Sequence, residues 1–188
     1  IYSDNSSANT IQGNTLATDG TTGCHGIMLE TDSMNNTMTE NTIQTYVTSH
    51  SYGISLTGDS DNNTITNNNI STNGTADYNY GINLNTASNL ISGNIISTNG
   101  TSVNRGMYIG GSTCKYNQII GNTVTTDGST GNNAGFSLTN YPERNTISGN
   151  TINAHGPSTN NGMHFAIGSD NNSIVNNTIY TYGSSSYG

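Results

Sequence analysis

The segment NTISGNTINAHG, Asn145 to Gly156, sets two asparagines five residues apart and follows each, two positions on, with an isoleucine, Ile147 and Ile152. Lightly edited, this phrase runs through the whole chain. The position of Gly149 is filled in turn by Gly13, Glu40, Asn67, Gly93, Gly121, Gly149 and Asn176, in steps of 27, 27, 26, 28, 28 and 27 residues. One residue later stands an unbroken series, Asn14, Asn41, Asn68, Asn94, Asn122, Asn150 and Asn177. Four residues before Gly149 and its equivalents stands another, Asn9, Asn36, Asn63, Asn89, Asn117, Asn145 and Asn172. Self-similarity at a period of this length is the mark of a repeat architecture.

Apolar residues keep the same beat. One series runs Ile11, Met38, Ile65, Ile91, Ile119, Ile147, Ile174, and a second Leu16, Ile43, Ile70, Ile96, Val124, Ile152, Ile179. A Gly-apolar-x-apolar signature follows as GIML, GISL, GINL, GMYI, GFSL and GMHF. Each repeat thus offers three short segments with period-two alternation, separated by Gly and Asn turns, which reads as three strands. No helical stretch intervenes to cover a sheet face, so the chain must cover itself. A parallel β-helix does so: each repeat is one rung, and inward ladders of Ile, Leu, Met and Phe fill the bore. The expected fold is all-β, a single right-handed parallel β-helix over residues 1–188, with seven rungs and a height of about 34 Å at ~4.8 Å per rung.

The asparagines are then structural. Asn tolerates left-handed backbone at a sharp corner, and its amide both donates to and accepts from the Asn of the next rung, so in-register amides form a ladder. The residue six places after Asn14 and its equivalents (Gly20, Gly74, Gly100, Gly128, Gly156, Gly183, with Val47 the exception) reads as a corner leaving the strand. The sequons at Asn73 and Asn99, on the variable turn, are candidate N-glycosylation sites.

Composition narrows the functional classes. Only 7% of the chain is charged, and three basic residues (Arg105, Lys115, Arg144) against eleven acidic ones leave a net charge of -8. No cationic surface exists to neutralise phosphates, so nucleic acid is excluded as a partner. No apolar run of about 18 residues offers a membrane span. The chain opens at Ile1 without a signal-like segment, as expected of a processed secreted protein or of part of a longer chain. Cys24 and Cys114 fall at different phases of the repeat and are not expected to pair. The four histidines, His25, His50, His155 and His164, show no metal-ligand spacing.

NNTITNNNI, NTISGNTI and GISL resemble the right-handed parallel β-helix repeats of the pectate-lyase-like superfamily, and especially its surface-protein branch. The resemblance covers essentially the whole chain and implies the fold. It implies no single function, because the superfamily includes polysaccharide lyases, hydrolases, epimerases, tailspikes, adhesins and surface-layer proteins. In its enzymes, acidic and basic groups project from the strand that corresponds to Gly-apolar-x-apolar. Here the outward positions of that strand are Met28, Ser55, Asn83, Tyr108, Ser137 and His164, with no carboxylate among them. Glycoside hydrolysis needs paired carboxylates, and a lyase needs a general base with a cation. The expectation is therefore a non-enzyme without a cofactor.

Three surface features remain. Asp4, Asp32 and Asp59, with Asp61 nearby, are expected to stack on successive rungs, either as a Ca²⁺ site or as a solvated acidic turn. Partial threonine columns (Thr10, Thr37, Thr64, Thr146 and Thr15, Thr42, Thr123, Thr151, Thr178) raise an ice-binding reading, interrupted at Asn69, Leu90, Ile95 and Gln118. Tyr52, Tyr80 and Tyr108 gather with His25, His164 and Arg105 at the start of the third strand, an aromatic contact surface for a glycan or a neighbouring protein.

The two ends of the chain are in phase. Tyr187 and Gly188 occupy the start of a next Gly-apolar-x-apolar strand, and Ile1 and Tyr2 its continuation. Joined so, Gly188 to Asn9 spans nine residues, between the eight from Gly81 to Asn89 and the eleven from Gly106 to Asn117. The sequence reading is thus an extracellular or cell-surface protein whose units stack head to tail or continue in a longer repeat chain, as a filament, sheath or surface layer. A carbohydrate-binding or carbohydrate-processing β-helix is the alternative.

Overall fold

The computed structural model describes residues 1–101 and 103–188. Every described strand belongs to one of three parallel sheets. The first sheet holds β1 (Tyr2–Asp4), β4 (Ile27–Glu30), β7 (Tyr52–Leu56), β10 (Tyr80–Leu84), β13 (Arg105–Gly110), β16 (Asn133–Thr139) and β19 (Asn160–Phe165). The second holds β2 (Thr10–Gln12), β5 (Thr37–Thr39), β8 (Thr64–Thr66), β11 (Leu90–Ser92), β14 (Gln118–Ile120), β17 (Thr146–Ser148) and β20 (Ser173–Val175). The third holds β3 (Thr15–Thr22), β6 (Thr42–Ser49), β9 (Asn69–Asn73), β12 (Ile95–Gly100), β15 (Thr123–Gly128), β18 (Thr151–His155) and β21 (Thr178–Tyr182). Every strand pairs with the one a rung above or below, so the chain coils through seven rungs as a β-solenoid.

The register stacks equivalent residues directly. Ile11, Met38, Ile65, Ile91, Ile119, Ile147 and Ile174 form one inward column, Leu16 through Ile179 another. In the interior rungs these side chains are buried to 0 or 1% exposure, each burial contributing about 1.5–3 kcal/mol. The glycine of Gly-apolar-x-apolar faces the same core. A Cβ at Gly26, Gly53 or Gly81 would run into the Cγ2 of Ile43, Ile70 or Ile96, so the missing side chain lets the third sheet pack close to the first.

The two asparagine columns stand at two corners, the Asn9 series between the first and second sheets and the Asn14 series between the second and third. Backbone N–H and Nδ2 of Asn68 donate to Oδ1 of Asn94 at 2.9 and 3.0 Å, and Asn94 repeats this toward Asn122. The same bonds tie Asn89 to Asn117 and Asn117 to Asn145. The ladder therefore enlists the main chain as well as the amides. The left-handed conformation, however, belongs to the preceding residue. Ala8, Asn35, Asn62, Ser88, Tyr116, Arg144 and Asn171 in one series, and Gly13, Glu40, Asn67, Gly93, Gly121, Gly149 and Asn176 in the other, have φ between 54° and 67°. That residue makes the turn, and the turn aims the next N–H and amide along the axis.

The expected glycine corner lies where the third-sheet strands end, but its reason differs from left-handed backbone in the interior rungs. At Gly74, Gly100 and Gly128 the backbone is not left-handed; a Cβ there would collide with the amides of Asn79, Asn104 and Asn133. These glycines make room for a third inward column, Cys24, Ser51, Asn79, Asn104, Asn133 and Asn160, at the corner between the third and first sheets. Asn104 Nδ2 donates to Asn133 Oδ1, and Asn133 Nδ2 to Asn160 Oδ1, both at 3.1 Å. Val47 ceases to be an anomaly, because its rung carries the small Ser51 in place of an amide.

Candidate functional site

The outer face of the first sheet brings aromatic rings into a column. Pairing sets Tyr52, Tyr80 and Arg105 on neighbouring rungs at one outward position. His25 precedes them and accepts the Tyr52 backbone N–H on Nδ1 at 3.2 Å. Rings stack along the axis: His25 on Tyr52 at 4.7 Å and 9°, Tyr52 on Tyr80 at 5.1 Å and 11°, Tyr80 on Tyr108 at 5.4 Å and 15°. The Arg105 guanidinium lies 5.3 Å from the Tyr80 centroid and 5.1 Å from that of Tyr108. Cation–π attraction holds it there.

Burial pushes the Tyr52 and Tyr80 hydroxyls above their ordinary range and the His25 imidazole below its own. These shifts favour the uncharged forms of the Tyr52, Tyr80 and His25 rings. Lys115 is paired with Glu143 at 3.2 Å, and Arg144 donates to the Tyr116 hydroxyl at 2.7 Å. Among the described residues Arg105 has no carboxylate partner. Tyr78, Asn83, Asn85, Thr139 and Asn140 join the rings in lining a groove of about 530 Å³, and Asn140 Nδ2 donates to the Tyr108 hydroxyl at 3.0 Å. The sequence reading missed these residues; Asn140 lies 32 residues from Tyr108, and only the register joins them. His164 does not enter the column. It stands two rungs from Tyr108 through Ser137 and lines a separate depression that shares Arg105.

The acidic residues do not form one stack. Asp4 pairs in register with Glu30 rather than with Asp32, because rung 1 has Ser3 where the later rungs have Leu29 and Leu56. Asp32 does lie beside the turn of Asp59, through its N–H to Gly58 O. Asp61 is engaged, accepting the Ala87 N–H. Among the described residues no group of three or more His, Cys, Asp or Glu could hold a metal ion. Asn73 and Asn99 face out on adjacent rungs of the third sheet. Both cysteines are free thiols. The threonine columns keep their register, but Ile95 interrupts one of them with 57% exposure.

Inward columns that are fully buried inside the rod emerge at its ends: Ile1 is 48% exposed at rung 1, and Phe165 and Ile174 are 45% and 39% exposed at rung 7. A hollow of about 450 Å³ opens at rung 1, lined by Ser3, Asn9, Ile11 and Leu29 among others.

Three parallel sheets wound around one apolar bore, with in-register amide columns at its corners, define a parallel β-helix repeat protein. The family described as right handed beta helix region matches residues 1–179, and the chain belongs to it. That family includes enzymes and adhesins. No curated protein and no solved structure matches the chain. No described helix is long and apolar enough to cross a membrane.

Proposed function

We propose that this β-helix is architectural: a unit stacked end to end into a filament, sheath or surface layer outside the cell. The observation that carries the reading is the strict in-register repeat, in which each described rung presents the same three-sided cross-section to its neighbours. A rung of that cross-section is matched by another of the same cross-section, which supports the stacking of units. The low charge supports close lateral packing, and a single lysine with short turns leaves few sites for proteolysis. Apart from Asp4 and Glu30 on the first two rungs, the outward positions of the first sheet carry no carboxylate, which supports a non-enzymatic role. Electron microscopy of the purified chain tests the reading. Filaments with a subunit repeat of about 34 Å along the axis, seven rungs at ~4.8 Å, are expected; dispersed monomers at every concentration would overturn it.

The aromatic groove favours a second reading, a saccharide-binding β-helix. Tyrosine faces suit the C–H faces of sugars, Asn83, Asn85 and Asn140 suit hydroxyls, and Arg105 suits a carboxylate. Titration of oligosaccharides against intrinsic tyrosine fluorescence tests it: saturable binding that Tyr80→Ala removes is expected, and a flat titration would sink it.

A further inference from the structure

We propose that the depression beside the aromatic groove binds one tetrahedral oxyanion, a sulfate or phosphate group. The proposal depends neither on the stacking of units nor on a saccharide in the groove. The depression measures about 290 Å³ and is lined by Arg105, Asn132, Ala134, Ser137, Asn161 and His164 among others. Its walls and floor come from three paired rungs. Arg105, Ala134 and Asn161 stand in register at one outward position of the first sheet, and Tyr108, Ser137 and His164 at another. The column that carries Tyr52, Tyr80 and Arg105 on the rungs before thus shrinks to an alanine. Ala134 and Ser137 form a low floor between longer side chains, across a gap of roughly 10 Å, two strand spacings, from the Arg105 strand to the Asn161 strand.

The polar groups of this depression lack partners. Phe136 and Leu138 belong to the core, so alternation turns Ser137 between them outward. Ser137 is nonetheless fully buried, and its Oγ has no hydrogen-bond partner, a condition that native structures rarely leave without a reason. The Arg105 guanidinium is held by the faces of Tyr80 and Tyr108 at 5.3 and 5.1 Å, and no described residue accepts a hydrogen bond from it. The side-chain amides of Asn132 and Asn161 and the His164 ring are likewise without hydrogen bonds among the described residues. No carboxylate is among the described lining residues, so nothing in the depression neutralises Arg105. Donors approach from one wall (Arg105), from the floor (Ser137) and from the other wall (Asn161, His164). A sulfate or phosphate turns oxygens in all of these directions, whereas a carboxylate offers two in one plane.

NMR titration of the full chain with inorganic sulfate, inorganic phosphate and acetate, at constant ionic strength, tests the site. Saturable shifts centred on Ala134, Ser137 and Asn161 are expected from sulfate and phosphate, with acetate weaker by about tenfold or more. Shifts that do not saturate, or acetate bound as tightly, would overturn the proposal. Ala134→Tyr gives this rung the side chain that the column already bears at Tyr52 and Tyr80, so it is expected to fold while the filled depression binds neither anion. Binding retained in the folded variant would contradict the site; if the variant fails to fold, Ser137→Ala decides. That change removes the unpaired hydroxyl, and it should leave the urea midpoint unchanged or higher while weakening sulfate on the order of tenfold. Unchanged affinity would sink the proposal. Methyl sulfate and methyl phosphate separate the sources of the group: retention as tight as that of the inorganic ions supports a group carried on a larger molecule, and their rejection supports the free ion.

Discussion

The corner between the second and third sheets and the corner between the third and first are built from the same device, with different fidelity. At the first, asparagine fills the column in all seven rungs, as it also does at the corner between the first and second sheets, and the interior amides are bonded. At the second, an amide stands in four rungs, Cys24 and Ser51 replace it in two, and the column is cut between Asn79 and Asn104. There Asn79 Nδ2 turns to Ala76 O at 2.7 Å, and the buried Oδ1 atoms of Asn79 and Asn104 have no partner. The hydroxyls of Thr72, Thr98 and Thr126 beside them are likewise unpaired. Strict repetition at one corner holds the coils in register. That leaves the other free to vary, and the aromatic groove borders the one that varies.

The largest effect is expected from breaking the strict corner. Asn94→Leu strands the N–H of Asn68, takes one acceptor from its Nδ2, and removes the donors to Ile65 O and to Asn122 Oδ1. A loss of about 3–5 kcal/mol, several buried groups left unpaired at once, should appear in the urea midpoint. A loss under about 1 kcal/mol would mean that the amides do not hold the coils together.

Cys114 tests how tightly the core beside the other asparagine column, at the corner between the first and second sheets, is closed, since Asn117 Nδ2 reaches its Sγ at 3.4 Å. Burial pushes the thiol up to about 12 from an ordinary 9.0. Above pH 9 the unfolded chain releases the proton while the native chain keeps it, so stability is complete below that pH and is lost as pH rises toward 12. The loss attributable to the thiol, roughly 1 kcal/mol per pH unit, should be absent from Cys114→Ala in alkaline denaturant titrations.

The loose corner should tolerate exchange if the exchange is paired. Gly74→Val alone drives a side chain into the Asn79 amide and should cost about 2 kcal/mol. Adding Asn79→Ser recreates the Val47 and Ser51 pair of rung 2 and should recover most of it, so a double-mutant cycle should give a coupling of at least about 1 kcal/mol. Additive losses would disconnect the glycines from the third column. Smallest of all, Arg105→Ala should change stability by less than about 1 kcal/mol, because its contacts are ring faces on the surface.

Much of this was legible before any coordinates. The two unbroken asparagine series, the inward isoleucines and the three-strand rung follow from spacing alone, because a solenoid turns sequence period into vertical contact. The third column escaped for a physical reason. It lacks a fixed residue type, and its distance from the preceding glycine shifts from four residues (Gly100 to Asn104) to five (Gly74 to Asn79). Asp4 falls two residues short of the level of Asp32 because Ser3 breaks the apolar signature that anchors the count. The left-handed turns escaped because so many residue types adopt them here, among them Ala8, Glu40, Ser88, Tyr116 and Arg144. Asn140 in the groove has no sequence signal.

The most direct test is residue-resolved hydrogen exchange of the chain held monomeric by dilution. Backbone amides of Asn41, Asn68, Asn94, Asn122 and Asn150, each donated to the next rung's Oδ1, should be among the slowest to exchange. Rapid exchange at Asn94 would contradict amide columns that bind the coils.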